Sequence, residues 1–88
     1  HIRIRAMLLL GKCYDAKNMH DMALRQLEEA NKELIEMNDT KKEILYMIGL
    51  LYEKQGKKGE SLAAFQQIYD AEYGYRDVAR RVESSYGN

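Results

Sequence analysis

Cys13 and His20 pair a thiol with an imidazole seven residues further on. Together they suggest soft-metal chemistry, but a structural zinc site needs four ligands and a helix boundary falls between these two. The pattern therefore reads as a buried thiol and a surface histidine. The neighbouring carboxylates Glu28 and Glu29 suggest acid–base chemistry, yet adjacent residues on a helix point in different directions and do not form a catalytic pair. Arg76, Arg80 and Arg81 give the C-terminal end a basic side suited to a phosphate or an acidic peptide, weighed against solvated charge partly balanced by Asp77 and Glu83. No Gly-rich phosphate loop, nucleophile elbow or H-E-x-x-H occurs. No residue set organises a nucleophile, a base and its orienter, so the reading is a non-enzyme with no cofactor and no metal.

The totals narrow the partners. Fourteen Lys and Arg balance fourteen Asp and Glu, which argues against a general nucleic-acid binder or a membrane-surface protein. A charged fraction of 32% instead describes the solvated faces of several helices. A single cysteine permits no internal disulfide and fits a reducing, cytoplasmic compartment. No apolar run reaches the roughly 18 residues of a membrane span, and no signal-peptide pattern opens the chain. The sequence starts at His1 instead of methionine, so a piece of a longer protein is expected. A domain of this size buries only about 60–65% of the surface its unfolded chain exposes, so its core is thin.

Five helices account for the apolar spacing. With no proline, the six glycines and a few turn residues supply the punctuation. The first helix covers 3–17, is apolar on more than one side, and stops near Asn18, which tolerates the left-handed conformation. The second covers 20–38, with Ala23, Leu24, Leu27, Ala30, Leu34 and Ile35 along one side. Thr40-x-x-Glu43 reads as a capping box opening the third helix, which runs to about Gln55 and ends at Gly56. The fourth covers 58–72, with Ser61, Leu62, Phe65, Ile68 and Tyr69 inward, before Gly74 breaks the chain. The fifth covers 76–86 and shows a narrow stripe of Val78, Val82 and Tyr86 beside Ala79.

One pattern occurs twice. Met7-x2-Leu10-Gly11-x2-Tyr14 is followed by Ala23-x3-Leu27, and Leu45-x2-Ile48-Gly49-x2-Tyr52 is followed by Ser61-x3-Phe65. Each half describes one helix face and the face that packs against it, so the chain contains a repeat. A mid-helix glycine costs about 1 kcal/mol against alanine. Such a cost is expected where a second helix crosses too closely for a Cβ. Ala23 and Ser61 are small at the facing positions, and Tyr14 and Tyr52 should fill the space beside the next helix.

At these residues the sequence resembles the tetratricopeptide repeat family. The first unit, about 4–38, carries Leu10, Gly11, Tyr14, Ala23 and Ala30 at signature positions, with Leu27 in place of an aromatic. The second, about 42–75, carries Gly49, Tyr52 and Phe65, with Ile48 and Ser61 as conservative swaps and Leu45 in place of tryptophan. The signature proline is missing at Ile35 and Tyr73. The two glycines are 38 residues apart where the family usually has 34, as in longer variants resembling kinesin light chain repeats. The extra four residues are expected to add one turn to the second helix. The resemblance implies an all-α right-handed helical-hairpin solenoid (two hairpins and a C-terminal capping helix, about 76–86) in one domain.

The resemblance also implies a concave groove lined by the first helix of each hairpin. Arg5, Leu8, Leu9, Lys12, Asp15 and Ala16 form one strip, and Glu43, Tyr46, Met47, Leu50, Glu53 and Lys54 the other. The core face explains Leu45, Ile48 and Tyr52 but not Tyr46, Met47 and Leu50. Either neighbouring helices cover these, or they form the apolar floor of a peptide site with a charged rim, or they mediate self-association. Relatives that grip a C-terminal carboxylate cluster Lys, Arg and Asn in this groove, and Lys12 alone is no such clamp. The expected partner-binding residues are Arg5, Leu8, Leu9, Lys12, Tyr46, Met47, Leu50, Glu53 and Lys54. The expected role is a non-catalytic scaffold holding a peptide or partner helix, with a structural or self-association module as the alternative.

Overall fold

The computed structural model describes residues 2–86. Five helices follow one another: α1 (Ile2–Ala16), α2 (His20–Glu33), α3 (Asp39–Lys54), α4 (Lys58–Ala71) and α5 (Val78–Tyr86). The described residues contain no strand. α1 packs on α2 and α3 on α4 as two hairpins. α2 then packs on α3, and α5 on α4, giving an elongated body of 38 × 27 × 18 Å.

The two hairpin turns are built alike, 38 residues apart. Asn18 takes φ +60° and Gly56 φ +75°. In the first turn the Met19 N–H reaches back to the Tyr14 carbonyl (2.8 Å), and in the second the Lys57 N–H reaches the Tyr52 carbonyl (2.9 Å). This is the left-handed C-terminal motif that satisfies the last carbonyls of a helix and reverses the chain. The short, preset turn forces each helix pair to run antiparallel.

The glycines do mark the helix crossings. A Cβ on Gly11 would lie 2.8 Å from the Leu27 side chain, and one on Gly49 would lie 2.6 Å from the Phe65 ring. The facing partner is thus the large residue, four after the small one. The small residue contributes differently: the Ser61 hydroxyl donates to the Gly49 carbonyl at 2.7 Å, tying α4 to α3 where they approach most closely.

Several expected boundaries move. α2 ends at Glu33, and α2 and α4 have equal lengths of 14 residues, so the four extra residues do not extend a helix. They fall in a linker, 34–38. Leu34 is extended there, and the Lys41 ammonium donates to the carbonyls of Asn31 and Leu34, stopping the helix by capping it. Ile35 is left 93% exposed, off the stripe it was expected to join. Asn38, not Thr40, caps α3, accepting from the Lys41 N–H at 2.8 Å. Glu43 is freed from the expected capping box and pairs with Lys12. α5 starts at Val78 because the left-handed residue before it is Arg76, φ +42°, not Gly74. Val78 and Val82 are fully buried, but Tyr86 is exposed, so the expected stripe is one turn shorter.

Candidate functional site

The strips expected to line the groove are brought together by ion pairs between α1 and α3. Lys12 Nζ lies 3.0 Å from Glu43, and Lys54 Nζ lies 3.0 Å from Asp15. On α3 these pairs bracket Met47 and Leu50, which fall on the same helical stripe as Glu43 and Lys54 and are half-buried. On α1, Arg5 and Leu9 are exposed beside Lys12. The shared face is therefore apolar along its middle, with charge neutralised in pairs at its edges.

Two of the expected groove residues sit elsewhere. Leu8 is only 9% exposed and belongs to the core between α1 and α2, so one copy of the chain covers it. Tyr46 is held by the C-terminal segment. Its hydroxyl donates to Asp77 Oδ1 at 2.6 Å, and its ring meets Phe65 edge-on at 5.5 Å and Tyr75 at 6.2 Å. The Arg76 guanidinium lies over the Tyr46 ring at 4.8 Å. Glu53 is engaged as well, accepting from Arg81 at 2.7 Å.

Asp77 is the hub of this corner. It takes the Tyr46 hydroxyl, Arg80 Nη2 at 2.7 Å and Arg81 Nε at 3.1 Å. The Tyr46 hydrogen bond, then those of Arg81 and Arg80, hold its carboxyl down to about 2 against the opposing effect of burial. Burial, followed by the bond to Asp77, pushes the Tyr46 hydroxyl up and keeps it a donor. Burial works against the charge on Arg81, but Asp77 and Glu53 outweigh it and raise its guanidinium above the ordinary value. The basic side of the last helix is thus largely consumed in holding α5 against α3 and α4. Glu83, expected to balance it, accepts from Tyr69 instead. Sequence reasoning missed this network because its central bond, Tyr46 to Asp77, spans 31 residues. The one signal was that the core face of α3 leaves Tyr46 unexplained.

Tyr52, expected to fill the space beside the next helix, sends its hydroxyl back to the preceding one. Its hydroxyl crosses to α2 and donates to Glu28 at 3.0 Å, while Gln55 Nε2 donates to Asp21 at 2.8 Å. Burial, then the Glu28 bond, raise the Tyr52 hydroxyl. Cys13 is exposed, contrary to expectation, because no helix among the described residues lies over that side of α1. Among the described residues no group of three or more His, Cys, Asp or Glu is placed to hold a metal ion. Among the same residues no helix is long and apolar enough to cross a membrane.

Antiparallel helix pairs that share one turn geometry, one glycine crossing and one inter-hairpin contact define a helical-repeat protein. The tetratricopeptide repeat family model matches residues 5–33 and 43–71, well over half of the sequence, and the chain belongs to that family. Repeats of this family mediate protein–protein interactions. Neither a search of curated proteins nor one of solved structures finds a significant match.

Proposed function

We propose that the chain is a non-catalytic scaffold that holds an extended peptide or a partner helix along the face shared by α1 and α3. The observation that carries this reading is the pair of ion bridges, Lys12–Glu43 and Lys54–Asp15, which join the two helices on either side of the half-buried Met47 and Leu50. Pairing removes most net charge from the rim, so the ligand is selected by an apolar anchor over Met47, Leu50 and Leu9, with Arg5 as a free cation at one end. Tyr46 and Glu53 act through α5: they fix the wall of the groove and do not meet the ligand directly. Leu8 supports α1 from within.

Selection from a displayed peptide library against the folded domain, followed by titration of the winners, tests this. The double variant Leu9→Ser, Leu50→Ser should keep its helicity and lose binding by about tenfold or more. Undiminished binding by that variant would place the peptide site on another face.

A further inference from the structure

α2 and α4 flank α3, and the groove between them encloses about 260 Å³. Its walls follow from helical spacing. Glu28, Asn31 and Lys32 lie three and four residues apart on α2, and Glu60, Ala63 and Ala64 do the same on α4. Leu45, Ile48 and Tyr52 of α3 form the floor. The space exists because small residues stand where larger ones could. Ala63 and Ala64 replace the Arg25 and Gln26 of the first repeat, and Leu45 stands where the family signature has tryptophan.

The groove is apolar below and electronegative at its rim. Leu45, Ile48 and Ala64 are all buried. Glu28 accepts from the Tyr52 hydroxyl with one carboxylate oxygen at 3.0 Å, and its second oxygen has no partner among the described residues. Glu60 is exposed and accepts no hydrogen bond among them. After burial and Glu28, the charge of Glu60 also raises the Tyr52 hydroxyl, so both carboxylates bear on one point. The Asn31 side-chain oxygen is buried without a donor. Lys32, on the same rim, makes an ion pair with neither acid.

We propose that this groove takes one arginine side chain of a partner protein, its stem on Leu45, Ile48 and Ala64 and its guanidinium between Glu28 and Glu60. An aliphatic stem with a cationic head matches an apolar floor under an acidic rim. A planar fork of five donors meets two carboxylates and an amide oxygen together, where an ammonium is a point charge. A divalent cation is the poorer fit, because no group of three or more His, Cys, Asp or Glu among the described residues is placed to share it. The volume is below the roughly 300 Å³ at which sites for drug-sized ligands begin, and it suits a single side chain. Leu45, Ile48 and Tyr52 lie across α3 from Met47 and Leu50, so this site and the peptide groove stand or fall separately.

The test titrates the capped peptide Gly-Gly-Arg-Gly-Gly into the isotope-labelled intact domain. The amides of Ile48, Ala63 and Ala64 should shift in a saturable way. The citrulline peptide, similar in shape but neutral, should bind about tenfold more weakly, and the lysine peptide several-fold more weakly. Glu60→Gln should weaken arginine binding several-fold, while Lys32→Ala, which removes a competing cation, should strengthen it about twofold. Ala63→Leu fills the groove from an exposed position, so it should abolish binding at unchanged helicity. The Leu9→Ser, Leu50→Ser variant should bind the arginine peptide as the parent does. Four results would overturn the inference. The absence of any saturable shift would mean that the groove takes no guanidinium. Equal binding of the citrulline peptide would reduce the contact to apolar burial. Binding unchanged by both Glu60→Gln and Ala63→Leu would assign it to general ion pairing elsewhere on the surface. Shifts centred on Met47 and Leu50, and lost with Leu9→Ser, Leu50→Ser, would move the arginine into the peptide groove.

Discussion

α1 and α3 occupy the same position in their repeats and carry the same signature, yet α1 is covered on one side and α3 on two. Leu10 and Ile48 are the same position of the pattern, 44% and 4% exposed respectively. A repeat pattern specifies a helix that can be covered on two sides; whether it is covered depends on what stands next in the stack. The crossings differ as well. Gly11 meets a flexible aliphatic, Leu27, while Gly49 meets the ring of Phe65, which is wedged between Tyr46 and Arg81. The second hairpin is braced further by α5, which packs on α4.

The largest expected effect tests that asymmetry in the core. Phe65→Ala should cost about 3–5 kcal/mol in urea unfolding, a large share of what a domain of this size has. Leu27→Ala should cost about 2–4 kcal/mol. If the two costs come out equal, or reversed, the second hairpin is not the anchor of the fold.

Substitution at one shared repeat position sharpens the contrast. Ile48→Ser, within the covered face of α3, should lose about 3 kcal/mol. Leu10→Ser, on the open face of α1, should change thermal stability by no more than about 0.5 kcal/mol. A comparable loss at both positions would show that α1 is covered in solution.

The glycines come next. Alanine gains about 1 kcal/mol over glycine in a helix interior, but a Cβ at Gly49 needs a packed ring to move. Gly49→Ala should therefore still lose about 1–2 kcal/mol. Gly11→Ala should fall near zero, because Leu27 can change rotamer and α1 is free to shift outward. A stabilised Gly49→Ala would mean that the helices separate there at little cost.

The smallest effect separates the two hairpins by pH. The folded carboxyl of Asp77 titrates at about 2, below the roughly 3.9 of an unfolded aspartate. The bonds to Tyr46 and the arginines therefore contribute stability that is fully present above about pH 4 and is lost as pH falls through 2. Asp77 keeps 32% of its side-chain exposure, so after solvent screening the contribution is about 1 kcal/mol. Loss should appear first in the amides of α5, followed by NMR, and Tyr46→Phe should flatten that part of the profile. Loss beginning in α1 instead would place the acid-sensitive contact in the wrong hairpin.

Much of the fold was legible because its determinants are local. The helix periods, the left-handed Asn18 and Gly56, and the paired glycine signatures each act within a few residues. Errors came where two remote groups compete for one segment. Lys41 reaches back to cap α2, so residues 34–38 leave the helix that their apolar spacing suggested. Of the candidate site, the pairing of the α1 and α3 strips followed from repeat position, but the removal of Leu8 and Tyr46 from the groove did not. Leu8 turns inward by the orientation of α1 on α2, and Tyr46 is claimed by Asp77 from 31 residues away.

The sequence by itself determined the two hairpins, their turns and their crossing points, because helix propensity, chain reversal and the need for close approach are written in residues close along the chain. Only the tertiary structure decided which faces those helices keep. Ile44, Ile48 and Leu51 are buried and Ala6, Leu10 and Cys13 exposed because burial is a property of neighbours in space. The same dependence on neighbours in space made a basic C-terminal helix into a latch, since Arg81 meets Glu53 of α3 and the Phe65 ring of α4 only where α5 rests on α4.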